Sequence, residues 1–274
     1  MEKSKVNPTI HETTNFLRFD DTQTLGIIVA IGVILLTLIV FVVWRSRKQS
    51  RRGVLLLGLC DSGKTLLFTR LLHEKFVLTH TSIKENVGDY VVNNVSKQVV
   101  SVTDRPGVEL HSCQFLKVID IPGHERQRTK FLDQYKPVAR AIIFVVDSVS
   151  IQKEIRDVAE YLYTLLSDPV VSSNCPPFLV LCNKQDVTMA KGIPVVKTLL
   201  EKEMNLLRKT KTSQLESTNE TSNNNTFLGK QGKEFEFSHL APIRVEFAEG
   251  FAQKQGDENT AQLDQVEEWL AKVA

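Results

Sequence analysis

Gly58-Leu59-Cys60-Asp61-Ser62-Gly63-Lys64-Thr65 is the stretch whose reading decides the fold. It follows a short apolar run, Val54–Leu57, with the character of a fully buried strand, and it opens Lys64–His73, whose apolar spacing predicts a helix. A glycine-bounded loop between a strand and a helix N-terminus suits a phosphate group, because backbone N–H groups and the helix dipole both face the anion. Gly58 and Gly63 permit the tight backbone, Lys64 has the reach to contact outer phosphates, and the Thr65 hydroxyl can ligate Mg²⁺. Asp61, Ser62 and Leu66 complete the loop residues expected to meet a nucleotide.

Beyond this loop, strand and helix patterns alternate. Strands are predicted at Phe115–Ile119, Ala141–Val146, Phe178–Leu181 and Ile243–Phe247, and helices at Ile151–Leu166, Pro194–Arg208 and Thr260–Val273. That order implies an α/β fold with a mostly parallel sheet and helices on both faces. Tyr90–Thr103 shows β-branched alternation and is expected to pair antiparallel with Cys113–Ile119 through a polar turn at Pro106 and Gly107. Thr210–Gly232 has almost no apolar residues, which predicts a flexible polar insertion over 210–232.

Two later motifs belong with the phosphate loop. Asp120-Ile121-Pro122-Gly123 ends the strand Phe115–Ile119, so Asp120 lies at the carboxyl edge of the sheet, where it can hold Mg²⁺ through water, and the Gly123 N–H can sense a terminal phosphate. Asn183-Lys184-Gln185-Asp186 follows Phe178–Leu181. Asp186 can accept hydrogen bonds from guanine N1 and N2, which adenine does not offer in that form, with Lys184 over the base and Asn183 bracing the loop. A switch segment is expected at Thr79–Ile83, where Thr81 is the choice for a hydroxyl that completes the Mg²⁺ shell and Ser82 and Thr79 are alternatives. His124 is either a water-orienting catalytic imidazole or a plain surface histidine.

Upstream, every residue from Leu25 to Trp44 is apolar, glycine or Thr37. About 20 such residues at 1.5 Å rise cover roughly 30 Å of hydrocarbon, so 25–44 is read as a transmembrane helix. No polar face suggests a buried core helix, and no small-residue cleavage site suggests a signal peptide. Arg45, Arg47, Lys48, Arg51 and Arg52 outnumber Lys3, Lys5 and Arg18, which places residues 1–24 in the lumen and the rest in the cytosol. Residues 45–52 form a basic linker, and 53–274 form the folded domain. The chain carries 34 Lys and Arg against 32 Asp and Glu, a balance that gives no reason to expect nucleic acid as a direct partner. Its four cysteines have no paired spacing, so neither zinc nor a disulfide framework is expected.

The three motifs, in this order, resemble those of the Ras-like small GTPases, and Gly58-Leu59 with Gly63-Lys64-Thr65 is most similar to the ADP-ribosylation-factor and Sar branch. With the anchor and basic flank, the chain resembles the β-subunit family of the signal recognition particle receptor, through Leu57–Leu67, Asp120–Glu125, Ala141–Ser148, Cys182–Asp186 and Lys233–Ser238. This resemblance implies a P-loop small-GTPase fold, GTP and Mg²⁺ as cofactors, and residence in the endoplasmic reticulum membrane. It also implies heterodimerisation with the receptor's α subunit, near the ribosome or translocon, in a GTP-dependent switch for co-translational targeting. GTP hydrolysis would be slow or factor-assisted. A permanently GTP-loaded anchor and an Arf-like trafficking GTPase are the other readings. Gly250-Phe251-Ala252-Gln253 lies where such proteins carry Ser-Ala-Lys, so Ala252 is matched to the residue whose N–H meets the guanine O6.

Overall fold

The computed structural model describes residues 30–42, 51–92, 115–216, 228–253 and 260–274. The chain divides into two compact units, Met1–Ser50 and Arg51–Ala274.

In the first unit residues 30–42 form helix α1. Its large apolar side chains face outward, with Leu36 and Ile39 each 63% exposed. No helix among the described residues is long and apolar enough to cross a membrane. The 13 described residues of α1 rise about 20 Å, less than the roughly 30 Å of a hydrocarbon layer, and 25–29 and 43–44 of the predicted span lie outside the described residues. The tail 1–24 and linker residues 45–50 also lie outside them.

The second unit is built on six strands: β1 (Gly53–Leu57), β2 (Asn86–Val91), β3 (Phe115–Asp120), β4 (Ala139–Asp147), β5 (Phe178–Asn183) and β6 (Val245–Glu249). They lie in the order β2-β3-β1-β4-β5-β6. Only β2 runs antiparallel to its neighbour. Helices α2 (Lys64–His73), α3 (Glu125–Tyr135), α4 (Ile151–Ser167), α5 (Pro169–Asn174), α6 (Ile193–Glu216) and α7 (Asp264–Val273) cover both faces. The period-2 alternation of each strand divides the core. Val54 and Leu56 join α2 and α7 on one face, while Leu55 and Leu57 join α3 to α6 on the other. The continuous apolar reading of Val54–Leu57 is thus that of a strand covered twice.

The antiparallel edge pair is present, but β2 begins at Asn86 instead of Tyr90 and pairs Asn86 with Asp120 and Val91 with Phe115. Residues 93–114 lie outside the described residues. α6 runs eight residues past the expected Arg208 end, into the segment read as a flexible insertion. Lys, Gln, Leu and Glu in Lys209–Glu216 are good helix formers, so a polar segment here is an extended helix. The far end of that segment is pinned. Arg208 is buried and donates to the carbonyls of Leu228 and Lys230 at 3.3 Å and of Lys233 at 2.5 Å, and Leu228 enters the core. Residues 217–227 lie outside the described residues. β6 begins two residues later than expected and α7 four residues later, because Gln262 pairs with Phe251 as an isolated bridge.

Candidate functional site

The phosphate loop leaves the carboxyl end of β1 and turns into α2. Gly63 caps the helix at φ 90°, and a Cβ there would fall 2.4 Å from Asn183 Nδ2. Glycine therefore serves both the left-handed turn and the close approach of Asn183, whose Nδ2 donates to the Ser62 carbonyl at 2.8 Å. The first residue of the Asn-Lys-Gln-Asp motif braces the phosphate loop, tying the ends of β1 and β5 together.

Lys64 is buried, with its Nζ donating to the Leu59 carbonyl at 2.6 Å and lying 3.4 Å from Ser62 Oγ. Burial pulls its pKa below the usual lysine value, although Asp120, Cys60 and Asp61 oppose that shift. A buried ammonium held by neutral oxygens beside a helix N-terminus is electrostatically incomplete, and an anion would complete it.

Thr65 and Asp120 meet across the loop. Thr65 Oγ1 donates to Asp120 Oδ2 at 2.8 Å and lies 3.0 Å from Ser82 Oγ. With the threonine proton committed to Asp120, Ser82 is the donor in that second contact. Asn86 Nδ2 also donates to Asp120 Oδ2, at 2.9 Å. Asp120 Oδ1 is buried without a hydrogen-bond partner. Burial raises the Asp120 pKa, while Asn86, Thr65 and Lys64 oppose the rise.

Lys64, Thr65, Ser82 and Asp120 line a cleft of ≈ 230 Å³ bounded by Cys60, Asp61 and Gly63–Leu66, by Thr79–Ser82, by Asp120–Gly123 and by Lys184, with Asn86 behind it. Thr81 lies in this lining, but the switch hydroxyl that reaches Thr65 belongs to Ser82. His124 is not among the described lining residues. It is exposed and serves as the N-cap of α3, its Nδ1 accepting from Arg126 N at 3.4 Å. Gly123 packs on the phosphate loop so closely that a Cβ would lie 2.6 Å from Cys60 N and from the Leu59 carbonyl carbon. Because these are backbone atoms, Gly123→Ala is expected to cost about 2 kcal/mol or more, read as a lower urea midpoint at unchanged m-value.

A second cluster of polar groups is built from the β5 and β6 termini. Lys184 has a positive φ of 63°, and its Nζ pairs with Asp147 Oδ2 at 2.7 Å. Burial pushes the Asp147 carboxyl up, but Lys184 and the amides of Val149 and Ser150 outweigh it and hold the pKa below the usual range. The Lys184 ammonium thus rests on Asp147 at the edge of the cleft. Asp186 is half-buried in the turn that follows.

The departure from Ser-Ala-Lys at Phe251 and Gln253 leaves the opposing loop well anchored. Gly250 N donates to the Cys182 carbonyl at 3.2 Å, and Phe251 exchanges backbone hydrogen bonds with Gln262 at 3.2 and 2.9 Å. Ala252 is buried, and its carbonyl accepts from Arg70 Nε at 2.9 Å. Arg70, Asn86 and Gln262 also support the site, and none belongs to a recognisable motif, whereas Asp147 lies within the matched stretch Ala141–Ser148. Arg70 and Ala252 are 182 positions apart, so no local pattern links them.

A phosphate loop after β1, a carboxylate closing β3 and an Asn-Lys-x-Asp turn closing β5, on a sheet with one antiparallel edge, define a small GTPase by fold. The family model described as signal recognition particle receptor beta subunit matches residues 49–243. The human signal recognition particle receptor subunit beta is 45% identical over 94% of this chain and 89% of its own length. The structure of the mammalian SRP receptor superposes with a TM-score of 0.65 at 43% identity, covering 81% of this chain and all of that one. The SRb-GTP/SRX complex of Chaetomium thermophilum shares the fold at a TM-score of 0.59 and 22% identity, over 80% of this chain and 97% of that one. The chain belongs to the signal recognition particle receptor beta subunit family.

Proposed function

We propose that this chain is the membrane-anchored, GTP-binding subunit of a signal recognition particle receptor at the endoplasmic reticulum, holding the receptor's α subunit in a nucleotide-dependent way. The observation that carries the reading is the cleft itself. A buried ammonium with only neutral oxygens for partners faces a carboxylate oxygen with none, the donor set that a triphosphate and Mg²⁺ complete. The relatives support it, since the C. thermophilum proteins are described as SRb-GTP with SRX and as SRb-GDP-Mg.

The nucleotide supplies a terminal phosphate that is either present or absent. In this reading Lys64 and the loop N–H groups bind phosphate oxygens. Thr65 and Ser82 offer hydroxyl oxygens to Mg²⁺, and Asp120 accepts from a water in its shell. Asp186 selects guanine, Ala252 contributes its N–H, and Asn183 fixes the loop. The segments Thr79–Ile83 and Gly123–Lys130 both touch the cleft and the surface, so their order depends on the terminal phosphate and they form the partner's docking face. The apolar helix beginning at Leu25 tethers the domain, with residues 1–24 lumenal.

Capture of the α subunit's N-terminal domain by the full chain, in GTP against GDP, tests the switch. A Thr65→Ala chain is expected to lose the GTP-dependent part of capture; equal capture in both nucleotides by wild type would overturn the switch. One observation favours a second reading, a permanently loaded anchor: His124 caps α3 and stays out of the cleft. Phosphate release with the partner present distinguishes the two, because an anchor holds GTP without turnover.

A further inference from the structure

The two oxygens of Asp120 stand in different circumstances. Oδ2 accepts from Thr65 Oγ1 at 2.8 Å and from Asn86 Nδ2 at 2.9 Å, while Oδ1 is buried with no partner. A carboxylate with one oxygen doubly held cannot rotate without breaking both hydrogen bonds, so the bonds on Oδ2 decide where Oδ1 lies. Thr65 is itself a candidate metal ligand, and its hydroxyl is shared with Ser82. That leaves Asn86 as the holder of Asp120 with no second duty at the cleft.

Its place in the fold suits the task. Asn86 opens β2 directly opposite Asp120 in the antiparallel register. It stands four residues after Ser82, so one short segment supplies both the hydroxyl on Thr65 and the amide on Asp120.

We infer that Asn86 is a positioning residue for the Mg²⁺ site, holding Asp120 by Oδ2 so that Oδ1 is presented to the shell of the ion. The inference rests on the GTP–Mg²⁺ reading above. Residues that orient ligands from the second shell change metal affinity by about 10- to 100-fold when removed. The effect of Asn86 is therefore on the metal, with base and phosphate contacts left intact.

The test follows release of N-methylanthraniloyl-GDP from the detergent-purified full chain across a Mg²⁺ titration and in EDTA. Asn86→Ala and the similar-sized Asn86→Leu are expected to raise the Mg²⁺ concentration for half-maximal retention by about tenfold or more, with release in EDTA as in wild type. An unchanged Mg²⁺ midpoint in both variants would overturn the inference. So would release accelerated equally in EDTA and in Mg²⁺, the mark of a generally loosened pocket. If EDTA left wild-type release unchanged, the GTP–Mg²⁺ reading would itself fail, and the inference with it.

Discussion

Lys64→Met should give a chain that is at least as stable as wild type without nucleotide and that gains little when GTP and Mg²⁺ are added, about 0.4 kcal/mol where wild type gains about 2.7. Lys64 is 6% exposed, and burial of its ammonium is the largest influence on its pKa. Replacing this ammonium by an apolar chain of similar length removes the desolvation cost that dominates its electrostatics. Wild type should gain about 2.7 kcal/mol at a nucleotide concentration 100 times its dissociation constant, by mass action alone. The variant forfeits two charge-assisted hydrogen bonds of about 1.5 kcal/mol each, which weakens nucleotide binding by about 100-fold.

The linkage has a definite sign. The folded-state pKa of Lys64 lies below its ordinary 10.5, so near that pH Lys64 is protonated more fully in the unfolded chain than in the folded one. Lys64 should therefore contribute stability that grows as pH rises toward 10.5, against the loss from Tyr90, Tyr161 and Cys182, whose pKa values burial raises, and Lys64→Met should lack the Lys64 component alone. Urea unfolding at several alkaline pH values, with and without GTP, checks both parts. A variant that loses stability without nucleotide would show that Lys64 is a structural residue.

Asp186→Asn should exchange one base for another. A carboxylate accepts from both N1–H and the exocyclic amine of guanine, whereas a carboxamide replaces one acceptor by a donor. Guanine then meets an unpaired donor, and affinity for GTP should fall by about 100- to 1,000-fold. Xanthine carries a carbonyl in place of that amine, so the same change should raise affinity for XTP. The preference should invert while phosphate contacts and Mg²⁺ dependence persist. Competition of GTP and XTP against a fluorescent nucleotide measures the inversion; a proportional loss for both would remove Asp186 from base recognition.

The sequence and structure agree best where a function is carried by neighbouring residues. Gly58–Thr65 supplies its own strand, turn and helix start, so its place at the end of β1 was legible from those residues. Asp120 and Asn183–Asp186 were legible because each follows an apolar strand. Helix α4 was legible too, read over Ile151–Leu166 and present over Ile151–Ser167 with Val158, Leu162 and Leu166 buried. Pairing across the chain was harder to read. Asn86-Val87-Gly88-Asp89 has the composition of a turn, and the β-branched run after it drew the predicted strand four residues too far. Pairing with β3 decides the matter, because strand propensity yields to context.

The remaining differences come from long-range contacts. Ser82 reaches Thr65 while Thr81 also lines the cleft, a placement of adjacent residues set by the path of the switch segment and not by local sequence. His124, read either as a water-orienting imidazole or as a surface histidine, is exposed and caps α3, a placement that its neighbours in sequence do not signal. Arg70 and Arg208 had no signature at all, since their long-range partners, among them the Ala252 and Leu228 carbonyls, are main-chain groups.

The central claim is that this cleft holds a guanine nucleotide. The direct measurement is to identify the nucleotide that co-purifies with the full chain, alone and with the α subunit's N-terminal domain bound. The account predicts guanine nucleotide in near-stoichiometric amount, with GTP in the partner complex; an empty chain, or one carrying ATP, would contradict it.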